Sequence, residues 1–285
     1  MPESALTFER YFFWLVVYSM IGWVYESLLE SFRQKKLVNR GFLNGPYLPI
    51  YGSGALLDVA ILGWIQYPVI LFLASSVITC TLEFFASVLM EKLFHIRWWD
   101  YNDFKFHVFG KTIDMGKFNI QGRICLAGFI AFGTLSIALV YYLHPIMVYL
   151  TDMIPFTTFQ IIFAIMFAVV IVDILFTVSS LAGFHDQFDR LTKTISRIKT
   201  NTVGKVQSTA AYEKINAACE KFVKTMNPQQ IRIFRTFTQL RSTKHPKTLE
   251  RIKKIIFRRK NKINEEETNE HSADLSDNDL SDNGS

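Results

Sequence analysis

Five long apolar runs in the first 181 residues constrain this chain more than any other feature. They lie at about Tyr11–Leu29, Leu48–Ile65, Tyr67–Met90, Ile124–Leu143 and Phe156–Leu181. A run of roughly 18 or more apolar residues has the length needed to cross a bilayer core. So many runs in so short a stretch argue against a single soluble helical core. The expected fold class is an all-α integral membrane protein, with about five transmembrane helices followed by a basic helical cytoplasmic tail. The lipid bilayer is its first expected partner. The second and third runs nearly touch at Trp64–Pro68, which reads as a tight interfacial hairpin with aromatic anchors. MPESALTFER carries acids and a single Arg, and no small-residue cleavage site follows its apolar run, so it does not read as a signal peptide.

Basic residues in the short connections give the orientation. Arg33, Lys35, Lys36 and Arg40 follow the first run; Lys92, Arg97, Lys105, Lys111 and Lys117 follow the third. The second and fourth connections hold almost no charge, and the segment after the fifth is dense in Lys and Arg. The alternation predicts a multi-pass protein of the cell membrane with its N-terminus outside and its C-terminus in the cytoplasm. Three regions are expected: a transmembrane domain over 1–182, a basic helical segment over 183–262 and an acidic, disordered end over 263–285.

Polar residues inside the runs are the next signal. Ser19, Gly22, Glu26 and Glu30 recur at helical spacing on one face of the first, and Ser76, Thr79, Glu83, Ser87 and Glu91 on one face of the third. An acid on such a face should look into the bundle rather than at lipid. Asp173 sits near the middle of the fifth run; there an acid costs about 2.5–3.5 kcal/mol on insertion scales and needs a partner, water or a proton. Between the first two runs lies RGFLNGPYLPIYGSG, Arg40 to Gly54, whose Gly and Pro content marks irregular backbone. Irregular backbone at membrane depth must be buried in protein or line a wet cavity. The segment is expected to form a re-entrant or broken-helix wall of a cytoplasm-facing cavity, with Arg40 or Arg123 near Glu26 or Glu83. A plain capping loop is the alternative.

Elsewhere the chemistry is sparse. Cys80, Cys125 and Cys219 suggest neither disulfides nor a metal cluster, and no cofactor is expected. His144, at the end of the fourth run, reads as a capping or water-facing residue. GKTIDMGKF, from Gly110, fails as a phosphate loop because five residues separate its glycines and Phe follows the Lys. The tail is helix-like, with Pro228 and Pro246 as breaks. RIKKIIFRRK, Arg251–Lys260, mixes bases with Ile and Phe and fits an anionic lipid surface or an acidic partner. Nucleic acid is not an expected partner, since no docking motif is present.

On this topology Glu26, Glu30, Glu83, Glu91, Asp100, Arg40, Asn44, Asn119 and Arg123 converge on one side of the membrane, with Tyr51 close by. Arg forks match both carboxylate and phosphate. The group either neutralises itself and pins the bundle, or lines a vestibule for a polar ligand.

The blocks YSMIGWVYESLLE, RGFLNGPYLPIYGSG, EFFASVLMEKLFHIRWWDY and NIQGRICL, in that order, resemble the bacterial family described as putative ABC-transporter type IV, the CmpB-like permeases. The resemblance runs from about Tyr11 to Pro145 and implies a transport role. It points to Glu26, Arg40, Asn44, Tyr51, Glu83, Glu91, Asp100, Asn119 and Arg123 among the motif positions. One departure stands out: DFKFHVFGKTIDMGKF, 103–118, intervenes between the WWDY and N-x-x-G-R blocks and reads as an insertion. The chain has no ATPase motif, so a permease-type subunit of this kind implies a separate ATPase or an ion gradient. An enzyme acting on lipid or envelope substrates through Glu26, Glu83 or Asp100, and a non-catalytic scaffold with a recruiting tail, are the alternatives.

Overall fold

The computed structural model describes residues 3–94, 96–102, 105–108, 111–114, 117–200, 208–237, 239–242 and 244–258. The acidic end expected to be disordered lies outside the described residues. The chain divides into two compact units. One comprises Met1–Ala182 with Thr236–Thr243, the other Gly183–Arg235 with Lys244–Ser285.

The first unit is a helical bundle. Helix α1 spans Glu3–Gln34, α2 Pro49–Leu57 and α3 Pro68–Phe94. Two short antiparallel hairpins follow, β1 (Lys105–Val108) with β2 (Lys111–Asp114) and β3 (Asn119–Ile120) with β4 (Ile124–Cys125). Then come α4 (Leu126–Ala138), α5 (His144–Asp152) and α6 (Phe156–Thr200). Within the segment read as an insertion, the described residues 105–108 and 111–114 pair as β1 and β2.

Four stretches are long and apolar enough to cross a membrane: Thr7–Phe32, Pro68–Phe94, Leu126–Asp152 and Phe156–Ile198. Little of each is covered by the rest of the chain, and Val69, Leu73, Val77, Phe85, Leu89, Val172 and Leu175 stand exposed. Apolar side chains in such continuous exposed bands belong against hydrocarbon.

The second predicted span is shorter than expected. Its regular helix covers only Pro49–Leu62, the last turn, Asp58–Leu62, being π-helical. At about 1.5 Å per residue this is too short for a hydrocarbon core of about 30 Å. The cause is the Gly/Pro segment, which holds the backbone non-helical up to Leu48 and lets Pro49 start the helix, where a missing N–H costs nothing. The fourth span, by contrast, is longer than predicted. It does not stop at His144-Pro145; a π-helical turn over Leu139–Leu143 leads into α5. The wider turn ahead of Pro145 absorbs the hydrogen bond that the proline cannot donate.

Helix α2 lies against α1 because Gly52 has no side chain. A Cβ there would run into the Leu15 carbonyl oxygen and the Ser19 hydroxyl. Trp14, Tyr18, Leu139 and Met147 form one buried cluster beside this contact, and Val16, Leu43, Tyr47 and Val170 form another. Trp64 and Tyr67, at the turn between α2 and α3, are exposed as interfacial anchors should be.

The second unit is built from the end of α6, α7 (Ser208–Thr225), α8 (Pro228–Thr236) and a last helix over 246–258. Pro228 and Pro246 open helices rather than interrupt them. Phe184, Phe222 and Phe234 meet ring to ring in its core, with Cys219, Leu249, Ile252 and Ile256 fully buried. Two apolar members of the basic run, Ile252 and Ile256, are therefore interior, and Lys254 and Arg258 are exposed among its described residues.

Candidate functional site

The polar stripe of α3 turns inward as its spacing predicts. Ser76, Glu83 and Ser87 are buried, with Thr79 and Glu91 half-buried. Ser76 donates to the Phe129 carbonyl of α4 at 2.8 Å, which ties the stripe to its neighbour. One Glu83 oxygen accepts from the Tyr101 hydroxyl at 2.9 Å. Burial first, then the Glu83 charge, holds the Tyr101 hydroxyl well above the ordinary tyrosine range, so it stays a donor. On α1, Glu26 accepts from the Tyr51 hydroxyl at 2.6 Å and lies 3.6 Å from Arg40 Nε.

Glu26, Arg40, Tyr51, Glu83 and Tyr101 line one cavity of about 580 Å³ within the first unit. Asp58, joined to the Ser136 hydroxyl, lines it deeper in, and Trp98, Trp99 and Phe237 line the opposite end. The remaining wall is largely apolar, from α1, α2, α3 and α4. Such a volume suits an organic ligand rather than a bare ion, and apolar walls with a few fixed polar groups are the usual composition of a small-molecule site.

Not all the expected residues meet there. Arg123 goes to Glu91 at 2.5 Å and to the Ser87 hydroxyl at 2.8 Å, over the Phe84 ring, rather than to Glu26 or Glu83. Two turns of α3 separate Glu83 from Glu91, which is why the two acids find different partners. Asp100 pairs with Arg241 at 2.9 Å, and Asn119 accepts from the Gly122 amide in a turn where Gln121 and Gly122 both have positive φ. Trp99 donates to the Arg123 carbonyl at 3.0 Å. Asp100, Asn119, Glu91 and Arg123 thus form a polar girdle beside the cavity, outside its lining.

Asn44 has another role again. Its backbone N–H and side-chain amide both donate to Asp173, at 3.0 and 2.8 Å, joined by the Gly45 N–H at 2.8 Å and the Tyr47 hydroxyl at 2.5 Å. Thr177, one turn along, donates to the same carboxylate at 3.2 Å. The mid-span acid of α6 is therefore satisfied by the Gly/Pro segment. That segment also donates from the Leu48 N–H to the Ser19 carbonyl, in the middle of α1, at 2.9 Å. Two independent contacts hold residues 44–48 at the depth of the middle of the bundle. Irregular backbone there has these amides satisfied by protein, as its chemistry requires.

Sequence reasoning missed three participants. Tyr47 and Tyr101 drew no individual reading, although Tyr47 stands in the Gly/Pro segment and Tyr101 closes the WWDY block, both rich in polar residues. The half-buried His144 bonds the Tyr18 hydroxyl through Nδ1 at 2.8 Å, and its ring stands edge-on to Trp14. Nothing in the sequence signalled that Thr236–Thr243 rejoins the first unit. Arg97 and Arg241 exchange backbone hydrogen bonds of 2.8 and 2.9 Å, and Phe237 packs edge-on against Trp98 at 5.1 Å. Among the described residues no group of three or more His, Cys, Asp or Glu is arranged to hold a metal.

Residues 13–178, more than half the chain, match the family model described as putative ABC-transporter type IV. The chain belongs to this family. No curated protein and no solved structure matches it. Membership in a family described as a transporter component, together with the four apolar helices, makes this a transport-related, multi-pass membrane protein. The family match takes in the Gly/Pro segment, the α3 stripe, the cavity acids and Asp173, and it stops four residues before the first stretch of the first unit ends.

Proposed function

We propose that the chain is a permease-type transport subunit in which the cavity of the first unit is the ligand site. The observation that carries this reading is the cavity itself. It is a half-open, mostly apolar space of about 580 Å³ into which Glu26, Arg40, Asp58 and Glu83 project polar groups at membrane depth. Ion pairs kept only to pin a bundle would need no such space. The Gly/Pro segment gives the cavity a wall that is non-helical yet satisfied, the usual form of backbone beside a transporter site.

In this account the N-terminus is outside and the second unit is cytoplasmic, as the basic connections suggest. The Trp98–Tyr101 end of the cavity then faces the cytoplasm. The chain works with a separate ATPase or with an ion gradient, and the exposed bases of the last helix meet an anionic leaflet or an acidic partner. Transmembrane, basic and acidic regions over 1–182, 183–262 and 263–285 are the working division of labour.

The test is a deletion strain complemented with wild type, Glu26→Gln or Glu83→Gln. Accumulation of solutes is measured alongside lipid and envelope-polymer profiles. The expected result is at least a tenfold loss of complementing activity for each variant, at wild-type amounts of folded protein. A chemically altered lipid in the deletion strain, with unchanged solute accumulation, would point instead to an enzyme. Loss of folded protein in parallel with activity would make the acids structural.

A further inference from the structure

The charges lining the cavity do not balance. Glu26 has Arg40 and Tyr51, and the Arg40 guanidinium also lies 5.3 Å from the centre of the Phe237 ring. The other two acids have no ion pair among the described residues. Asp58 is 1 % exposed and Glu83 6 % exposed. Asp58 Oδ2 accepts from Ser136 and Glu83 Oε1 from Tyr101, which leaves Asp58 Oδ1 and Glu83 Oε2 buried without a hydrogen-bond partner among the described residues. A buried carboxylate in apolar surroundings is costly unless a cation, a donor or a proton neutralises it.

The same cavity is lined by Tyr25, Trp98, Trp99, Phe132 and Phe237. Aromatic faces attract cations and also accept apolar bulk. An anionic ligand would meet two uncompensated acids and a single Arg already engaged. A bare metal ion would leave most of the volume empty, and no three-ligand group is present among the described residues.

We infer that the cavity takes an amphipathic organic cation, an ammonium, amidinium or phosphonium centre on a bulky apolar body, with Glu83 and Asp58 as its counter-charges. This rests on reading the cavity as the ligand site. Each acid supplies charge where the aromatic rings supply contact, so neither a neutral molecule of the same shape nor an anion is held as well.

The experiment uses purified full-length protein in lipid nanodiscs and two probes of nearly identical shape and opposite charge, tetraphenylphosphonium and tetraphenylborate. Binding is measured as saturable retention above that of empty nanodiscs. Tetraphenylphosphonium is expected to bind saturably and tetraphenylborate not to. Glu83→Gln and Asp58→Asn are each expected to weaken binding at least tenfold. If one variant does not fold, the other variant and the comparison of the two probes on wild type still decide the matter. Preference for tetraphenylborate, displaced by the cavity-filling Thr79→Leu, would overturn the cationic ligand and leave the cavity as the ligand site. Saturable binding of neither probe would overturn both. Equal binding of tetraphenylphosphonium to wild type and both acid variants would overturn the assignment of the counter-charges.

Discussion

Asp173 carries the clearest single-residue argument in the chain. A carboxylate in the middle of an apolar helix is acceptable here because two backbone amides, a side-chain amide, a tyrosine hydroxyl and a threonine hydroxyl all converge on it. Removing it takes the acceptor from the Asn44 and Gly45 N–H groups, at about 1–3 kcal/mol each where water does not replace it. Asp173→Ala is therefore expected to destabilise the first unit by about 3 kcal/mol or more, read as a lower thermal midpoint and a smaller monodisperse fraction in detergent. Glu83→Gln, which keeps the side chain's shape and strands no backbone group, is expected to lower that midpoint much less. Equal losses would place Glu83 with the structural acids. The sequence showed that Asp173 needed a partner but could not say which, because Asn44 lies 129 positions away and the contact depends on how deep the Gly/Pro segment dips. The pairing of Arg123 with Glu91 was hidden for a related reason. Glu83 and Glu91 share one helix face, and spacing alone does not reveal which of the two an arginine from another segment will reach.

At the scale of elements, α2 is the part whose form departs most from expectation. Its composition reads as a full span, yet its helix begins at Pro49, against the middle of α1, and ends in a π-helical turn. The close approach of α1 and α2 depends on Gly52, where any Cβ meets a backbone carbonyl that cannot rotate away. Gly52→Ala is expected to cost about 1–3 kcal/mol through overpacking. Gly54→Ala, whose added carbon would find Thr79 and Leu82 at 3.5 and 3.7 Å, is expected to be close to neutral. Comparing the thermal midpoints of the two variants checks this; similar losses would contradict the assigned α1–α2 contact. The amphipathic stripe of α3 was legible because it rests on helical spacing alone. The continuation of the fourth span through Pro145 was not, since a proline is read as a stop unless the wider turn ahead of it is known.

For the whole molecule, the sequence conveys a membrane bundle and a polar end to it. It leads to the expectation of a cavity but not to its size or lining, which depend on side chains from α1, α2, α3 and α4 failing to fill a common space. The return of Thr236–Thr243 to the first unit is likewise invisible in composition, because it is made by backbone pairing and one Phe. The central claim is that this cavity is a water-accessible ligand site open to the cytoplasm. The most direct measurement is labelling of Thr79→Cys, a half-buried position of the lining, by a membrane-impermeant maleimide. Whole cells are compared with inside-out vesicles, and the parent chain with its buried Cys80, Cys125 and Cys219 sets the background. The account predicts labelling in inside-out vesicles and none in whole cells. Labelling from whole cells alone, or none from either side while a cysteine at exposed Lys254 reacts, would contradict it.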